Sequence, residues 1–376
     1  MRLRIDNIKS LPTPCYLIDY DYLLNNIKLA KKRCEVLNVK MLLSIKGFPL
    51  YSIFEDISPY FDGVSASSLF EAKAGQLMKK EVHIHSPVYS AIDFEEISSI
   101  CDHIVFNSIS QLKIYGPKID ECKKIGLRIN PEYSEVAIEK YNPCCEYSRF
   151  GVTQTNLCNN TLPEIGGLHM HTMCENEAES FARIINKTSN KFNKLFEKIS
   201  WINFGGGQLI TEPNYNLECL KQPINNLINN YRLKIYIEPC ESLVSESGFL
   251  VATVLDIIDN GKLIAILDTS AVCHMPEILE MPYTPDIEYP TNSRDCKYPY
   301  IIAGNSCLAG DIIGEYFFEN PLKIGDKIVF SEMGAYTFCK ANYFNGINLP
   351  TIALYKNNSL FQILKQYNYE NYKSIY

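Results

Sequence analysis

A chain of 376 residues, 46% hydrophobic and 21% charged, has material for more than one hydrophobic core, so one large and one smaller domain are expected. A formal net charge of −7 and a pI near 5.5 argue against nucleic acid as a partner and suit a cationic ligand. Fourteen cysteines scattered along so long a chain, with no signal-peptide pattern, read as the reduced thiols of a cytoplasmic protein, and the longest apolar stretch, Gly248 to Leu255, meets Asp256 well short of a bilayer's thickness, so no membrane partner is expected.

The opening "TPCYLIDYDYLL" holds an extended run, Cys15 to Ile18, suited to pair with a distant part of the chain. Eight β-rich runs follow: Met41–Ser44, Phe61–Ser65, Val82–His85, His103–Asn107, Gly126–Asn130, Gly167–His171, Trp201–Phe204 and Lys234–Glu238. Helix-like stretches separate them, among them Ser67–Lys79, Asp93–Ile100, Glu177–Lys187 and Gln222–Tyr231. Strand-then-helix alternation repeated eight times predicts an α/β fold, a closed (β/α)8 barrel rather than an open doubly wound sheet. The Asn- and Lys-rich stretch from Asn186 to Lys198 reads as a solvated helix or loop. From about residue 245 the pattern changes to β-rich pieces (Phe249–Ile258, Leu263–Asp268, Tyr300–Ala303, Lys327–Ser331) divided by Pro and Gly turns. The expected domains are a barrel over residues 25–245 and a β-rich domain made of residues 1–24 and 246–376.

In such a barrel the functional groups gather at the C-terminal ends of the strands. Those ends carry Lys46, Ser65, His85, Asn107, Arg128, His171, Gly205, Gly206, Gly207 and Glu238. Lys46 in "KMLLSIKGFP" ends an apolar run. By itself it would pass for a surface lysine, but desolvation at a strand end favours a neutral amine able to form a Schiff base. "NFGGGQL" sets three glycines after a strand, where bare backbone N–H groups either approach a phosphate or simply make a tight turn; neither a Walker loop nor G-x-G-x-x-G is present. "YIEPCE" puts Glu238 at the end of the last strand, where an acid can hold a pyridine nitrogen. In "GLHMHT", His169 and His171 share one side of the strand; without a third ligand in spacing, stacking of His171 on a planar cofactor is the better use, and no metal site is expected.

Lysine, paired histidines, triple glycine and Glu-Pro in this order resemble the pyridoxal-phosphate decarboxylases of the alanine racemase fold, and within them the carboxynorspermidine/carboxyspermidine group. The similarity runs from "TPCYLIDYDYL" to "GAYTFCKANYFNG" and includes "SIKGF", "GLHMHTMCE", "NFGGGQ", "EPCE", "CHMPEILEMPY", "GNSCLAGD" and "EMGAYT". The resemblance implies pyridoxal 5'-phosphate carried on Lys46, stacked upon by His171 and held at its ring nitrogen by Glu238. It implies that Gly205, Gly206, Gly207, the backbone near Cys240 and the Tyr336 hydroxyl hold the phosphate. It further implies a homodimer in which Cys307 of the second subunit enters the site and protonates the product carbon.

Three departures bear on substrate. Ornithine-type relatives carry Glu-Pro-Gly-Arg where this chain has Glu238-Pro239-Cys240-Glu241, their "Cys-Asp" corresponds to Cys307-Leu308, and a phosphate-binding serine corresponds to Cys174. Glu241 in an arginine's place repels a distal carboxylate. With Glu277, placed beside the substrate by the same resemblance, and Asp311 as a third acid, it suits the ammonium groups of a carboxylated polyamine longer than ornithine. The expected activity is decarboxylation of carboxynorspermidine or carboxyspermidine to norspermidine or spermidine. The alternatives are another basic amino-acid decarboxylase of ornithine or diaminopimelate type, an amino-acid racemase, a non-catalytic pyridoxal-phosphate carrier, and a cofactor-free Schiff-base aldolase.

Overall fold

The computed structural model describes residues 8–121, 124–357 and 360–376. The chain divides into two compact units, one of residues 26–243 and the other of the segments on either side of it. Strand β1 (Cys15–Asp19) precedes the helix Tyr20–Leu37, along which the chain passes from the second unit into the first.

The unit of residues 26–243 is a closed barrel of eight parallel strands: β2 (Lys40–Ser44), β3 (Gly63–Ala66), β4 (Glu81–His85), β5 (His103–Phe106), β6 (Ile125–Arg128), β7 (Gly167–His169), β8 (Trp201–Asn203) and β9 (Lys234–Ile237). It closes through the pairs Lys40 with Tyr236 and Met41 with Ile237. Each of the eight runs read from the sequence overlaps one of these strands. Several strands stop earlier than their runs, so that Asn107, Asn130, His171, Phe204 and Glu238 lie just past the last paired residue.

Serines set the starts of three barrel helices. Ser68, Ser90 and Ser108, all in extended conformation, accept the backbone N–H of Glu71, Asp93 and Gln111 and so satisfy a donor that the first helical turn leaves open. The helix Ala178–Phe196 runs through the Asn- and Lys-rich stretch as far as Phe196, the helical one of the two alternatives. Thr188, Phe192 and Phe196 extend the buried face of Phe181, Ile184 and Ile185 at helical spacing, and this apolar stripe overrides the polar composition around it.

The barrel interior is filled by alternate residues of each strand, which is where a small barrel keeps its core. Trp201, the chain's one tryptophan, lies inside against Leu42, Val105 and Tyr236. Two neighbouring strands make room for it by carrying glycine: a Cβ on Gly167 would stand 2.1 Å from the indole and one on Gly126 2.5 Å from it.

The second unit is a mixed sheet. Strand β10 (Gly248–Asp259) pairs with β1 and β11 (Leu263–Leu267), and β11 pairs in parallel with β13 (Tyr298–Ala303), which pairs with β14 (Ile312–Phe318). Strand β12 (Ile287–Tyr289) pairs with β15 (Lys327–Phe330), itself on β10. On the other side β1 runs parallel to β16 (Thr351–Lys356), beyond which lies β17 (Leu360–Lys365). Tyr16, Leu250, Ile302, Phe318 and Phe330 belong to one core of this unit, and Leu17, Val251, Val329 and Ala353 to another. No disulfide forms among the described cysteines. Among the described residues no helix is long and apolar enough to cross a membrane.

Candidate active site

The C-terminal mouth of the barrel gathers polar side chains from strands whose bodies are apolar. Register places Arg128 beside His169 and His169 beside Asn203, on β6, β7 and β8 in turn. His85 ends β4, Lys46 lies in the turn after β2, and Glu238 follows β9. Side chains two apart on a strand share a face, so one inward row on each strand delivers these groups to a common space.

Glu238 is the centre of that space. The carboxylate is buried, with Oε2 3.2 Å from His85 Nε2, Oε1 accepting the Asn203 amide at 2.7 Å, and His169 Nε2 3.8 Å from Oε1. Burial pushes its carboxyl group up, but the His85 side chain beside it, through its hydrogen bond and its field, with a smaller contribution from Lys46, outweighs burial and holds it well below the usual carboxylate range. An ionised carboxylate only accepts, so His85 carries its proton on Nε2. The His85 and His169 rings stack at 4.4 Å with 28° between planes. Neither nitrogen of the fully buried His169 has a hydrogen-bond partner. Burial holds it, and His171, well below the usual imidazole range.

Lys46 exerts its charge on His171, Glu238 and Cys174, so the amine and the acid act across the same mouth. Arg128 is buried, its guanidinium 4.3 Å over the Phe150 ring, and burial lowers it to about 10. Asn107 donates to Arg149 O at 2.8 Å and accepts from Gly151 N at 2.9 Å, which ties down the loop after β6. The Ser65 hydroxyl is buried without a partner.

The glycine turn owes its composition to crowding by backbone. A Cβ would meet Met170 O at 2.7 Å from Gly205, Glu238 O at 2.5 Å from Gly206 and Met173 O at 2.3 Å from Gly207; Gly205 and Gly207 also have φ of +67° and +96°. The Gly206 N–H points to His171 Nδ1 at 3.3 Å, and the Gly205 N–H to Asn203 Oδ1 at 2.8 Å. Nearby, Cys240 is buried and Glu241 opens the short helix Glu241–Val244. Burial, then the negative charges of Glu241 and Glu175, push the Cys174 thiol up to about 11, so it stays protonated.

The remaining expected residues belong to the sheet unit. Glu277 starts the helix Glu277–Glu280 and pairs with Lys340 at 2.9 Å. Cys307 is exposed, its backbone N–H held by Asn345 Oδ1 at 2.8 Å. Tyr336 has a φ of +59°, the left-handed region that an aromatic residue seldom adopts. Asp311 is buried and accepts from Ser270 Oγ, Ala271 N and Ser306 N at 2.8, 2.6 and 3.1 Å. Those three donors give its carboxylate a structural use.

Sequence reading did not single out Asn203. The signal was available: a polar residue at the end of an apolar strand, in the inward row and directly ahead of the glycine turn.

An aldehyde-bearing pyridine with a phosphate needs an amine, an acid for the ring nitrogen and a backbone turn with no Cβ in the way, and the mouth supplies Lys46, the ionised Glu238 and the glycine turn, whose Gly205 and Gly206 N–H groups are here turned to Asn203 and His171. The donor set fits. Residues 15–334 match the family model described as pyridoxal-dependent decarboxylase, C-terminal sheet domain. A carboxynorspermidine/carboxyspermidine decarboxylase from Campylobacter jejuni is 38% identical, covering 97% of this chain and 98% of that protein. A carboxyaminopropylagmatine decarboxylase from Synechocystis is 34% identical, over 98% and 96%. The crystal structure of carboxynorspermidine decarboxylase complexed with norspermidine, from Campylobacter jejuni, superposes with a TM-score of 0.88 at 36% identity, over 97% of this chain and 100% of that one. With a family model matched over residues 15–334 and relatives 38% and 34% identical over nearly their whole length, the chain belongs to the pyridoxal-dependent decarboxylases.

Proposed function

We propose that this decarboxylase acts on a carboxylated triamine, carboxynorspermidine or carboxyspermidine, releasing norspermidine or spermidine. The observation that carries the reading is Glu241, an acid at the mouth of the barrel whose charge reaches Cys174. An acid there attracts an ammonium group and repels the distal carboxylate of diaminopimelate. The Campylobacter jejuni relative and its norspermidine complex support the same substrate class.

Bound pyridoxal phosphate supplies the electron sink that makes loss of carbon dioxide from an α-amino acid feasible. Lys46 would hold the aldehyde through its amine, and the same amine can serve as a base and proton carrier at the mouth of the barrel. Glu238, kept ionised chiefly by His85, would hold the ring nitrogen. His171, kept neutral by burial, lies against the ring. The turn of Gly205, Gly206 and Gly207, the backbone at Cys240 and the Tyr336 hydroxyl would take the phosphate. Glu241 and Glu277 bind the substrate's internal and terminal ammonium groups, and a homodimer brings Cys307 of the second subunit to Cα, where its thiol gives up a proton.

The test is carbon dioxide release from carboxynorspermidine, carboxyspermidine, carboxyaminopropylagmatine, ornithine and diaminopimelate under identical conditions. A preference for the first two is expected. A preference for carboxyaminopropylagmatine transfers the reading to a guanidinium-ended substrate, as the Synechocystis relative suggests. Preference for ornithine or diaminopimelate removes it. The two triamines differ by one methylene, worth only about 1–3 kcal/mol in a pocket, so modest selectivity between them is expected.

A further inference from the structure

Asn203 is 1% exposed, and both ends of its amide are occupied. Oδ1 accepts the Gly205 N–H at 2.8 Å, and Nδ2 donates to Glu238 Oε1 at 2.7 Å. Since Oδ1 faces a donor and Nδ2 an acceptor, only one orientation of the amide satisfies both contacts. The circuit closes through the backbone, where the Glu238 N–H donates to Gly205 O at 2.9 Å. Gln208 Nε2 adds a second donor to the same carbonyl at 3.0 Å. Three residues on two neighbouring strand ends thus form a ring of hydrogen bonds, with the first glycine of the turn on one side and the buried acid on the other.

We infer that Asn203 is a positioning residue that couples the phosphate-holding turn to the acid that holds the ring nitrogen. This rests on the reading of the glycine turn and Glu238 given above. The two ends of a rigid cofactor must be a fixed distance apart, and one amide bridging the residues that grip each end sets that distance without touching the cofactor. An amide suits the task better than a carboxylate. Aspartate would still accept from Gly205, but it would replace the donor to Glu238 with a second negative charge.

The test compares Asn203→Ala, Asn203→Asp and Glu238→Gln in the reconstituted holoenzyme, with two readouts: the dissociation constant for pyridoxal phosphate and the pH midpoint of the visible cofactor band. Asn203→Ala breaks both links, so affinity falls roughly tenfold and the midpoint rises by roughly one unit. Asn203→Asp keeps the acceptor for Gly205 and loses the donor to Glu238, so the midpoint moves while affinity stays within about threefold. Glu238→Gln is the control on the underlying reading; an unmoved midpoint there removes Glu238 from the ring nitrogen. If Glu238→Gln moves the midpoint but Asn203→Ala moves only one readout, or neither, the coupling is refuted. A loss of thermal stability in Asn203→Ala with both readouts unchanged in the folded fraction also refutes it, because that is all a space-filling role would produce.

Discussion

His85 and Glu238 face each other across the barrel mouth with Nε2 3.2 Å from Oε2, and the imidazole is the donor because the carboxylate is ionised. Removing it by His85→Ala leaves a buried carboxylate with one donor fewer, at a cost of about 2–3 kcal/mol. Urea unfolding of the apoenzyme should show that loss, and His85→Gln, which keeps an N–H donor, should recover part of it. Equal stability of the alanine and glutamine variants would mean that His85 contributes bulk rather than its hydrogen bond.

Lys46 follows an apolar strand, and its charge acts on His171, Glu238 and Cys174. Replacing it with alanine should abolish the borohydride-sensitive visible band and lower decarboxylation by roughly 10²–10⁴-fold, the scale of losing a positioned acid–base group. The far-ultraviolet spectrum should be unchanged, since the residue lies in a turn at the mouth. A variant that still reacts with borohydride at the same rate would place the Schiff base elsewhere.

The barrel could be read from the sequence because parallel strands buried on both faces are short continuous apolar runs, and eight of them alternate with helical stretches. Some strands of the sheet unit were harder. Strand β12, paired on one side only, is three residues long, and β16, between β1 and β17, is bounded by Pro350 and Asn357, so neither stands out from the surrounding Pro and Asn. Lys46, His171, the glycines and Glu238 announced themselves by breaking apolar runs at strand ends. Asn203 did not, because a single amide in a strand carries no chemistry alone and gains its meaning from Gly205 and Glu238. Asp311 shows what sequence leaves out: its three internal donors, from Ser270, Ala271 and Ser306, come from segments distant in the chain or from a turn that no pattern announces.

The base of the barrel holds a second group of titratable side chains with a consequence for stability. His103 lies 4.2 Å from His83 and 4.7 Å from Trp201, ring to ring, and burial followed by the His83 charge lowers it to about 3. A histidine unfolded at about 6.5 and folded at about 3 takes up its proton first in the unfolded chain, so its contribution is complete above pH 6.5 and is lost as pH falls toward 3. His274, lowered to about 4 mainly by burial, acts in the same direction. Between pH 7.5 and 5, His103 alone should account for on the order of 2 kcal/mol of lost stability. Urea titrations at both pH values should show a smaller drop for His103→Gln than for the parent chain, and identical drops would show that His103 is not held neutral.

Glu241 heads the short helix after β9 and raises the Cys174 thiol, so its negative charge acts at the mouth of the barrel. Glu241→Gln removes that charge while keeping the side chain's size. The kcat/KM for carboxynorspermidine should fall about tenfold, mostly through KM, because a partly solvated ion pair binds ground state and transition state alike. Glu241→Arg should go further, losing the triamine and easing entry of a substrate whose far end is a carboxylate. Measured against diaminopimelate, its rate should rise above the parent's even if it stays low in absolute terms. An arginine variant that leaves the ratio of the two substrates unchanged would show that the residue at this position does not meet the distal end of the substrate, and the selectivity would then have to come from the Glu277 side.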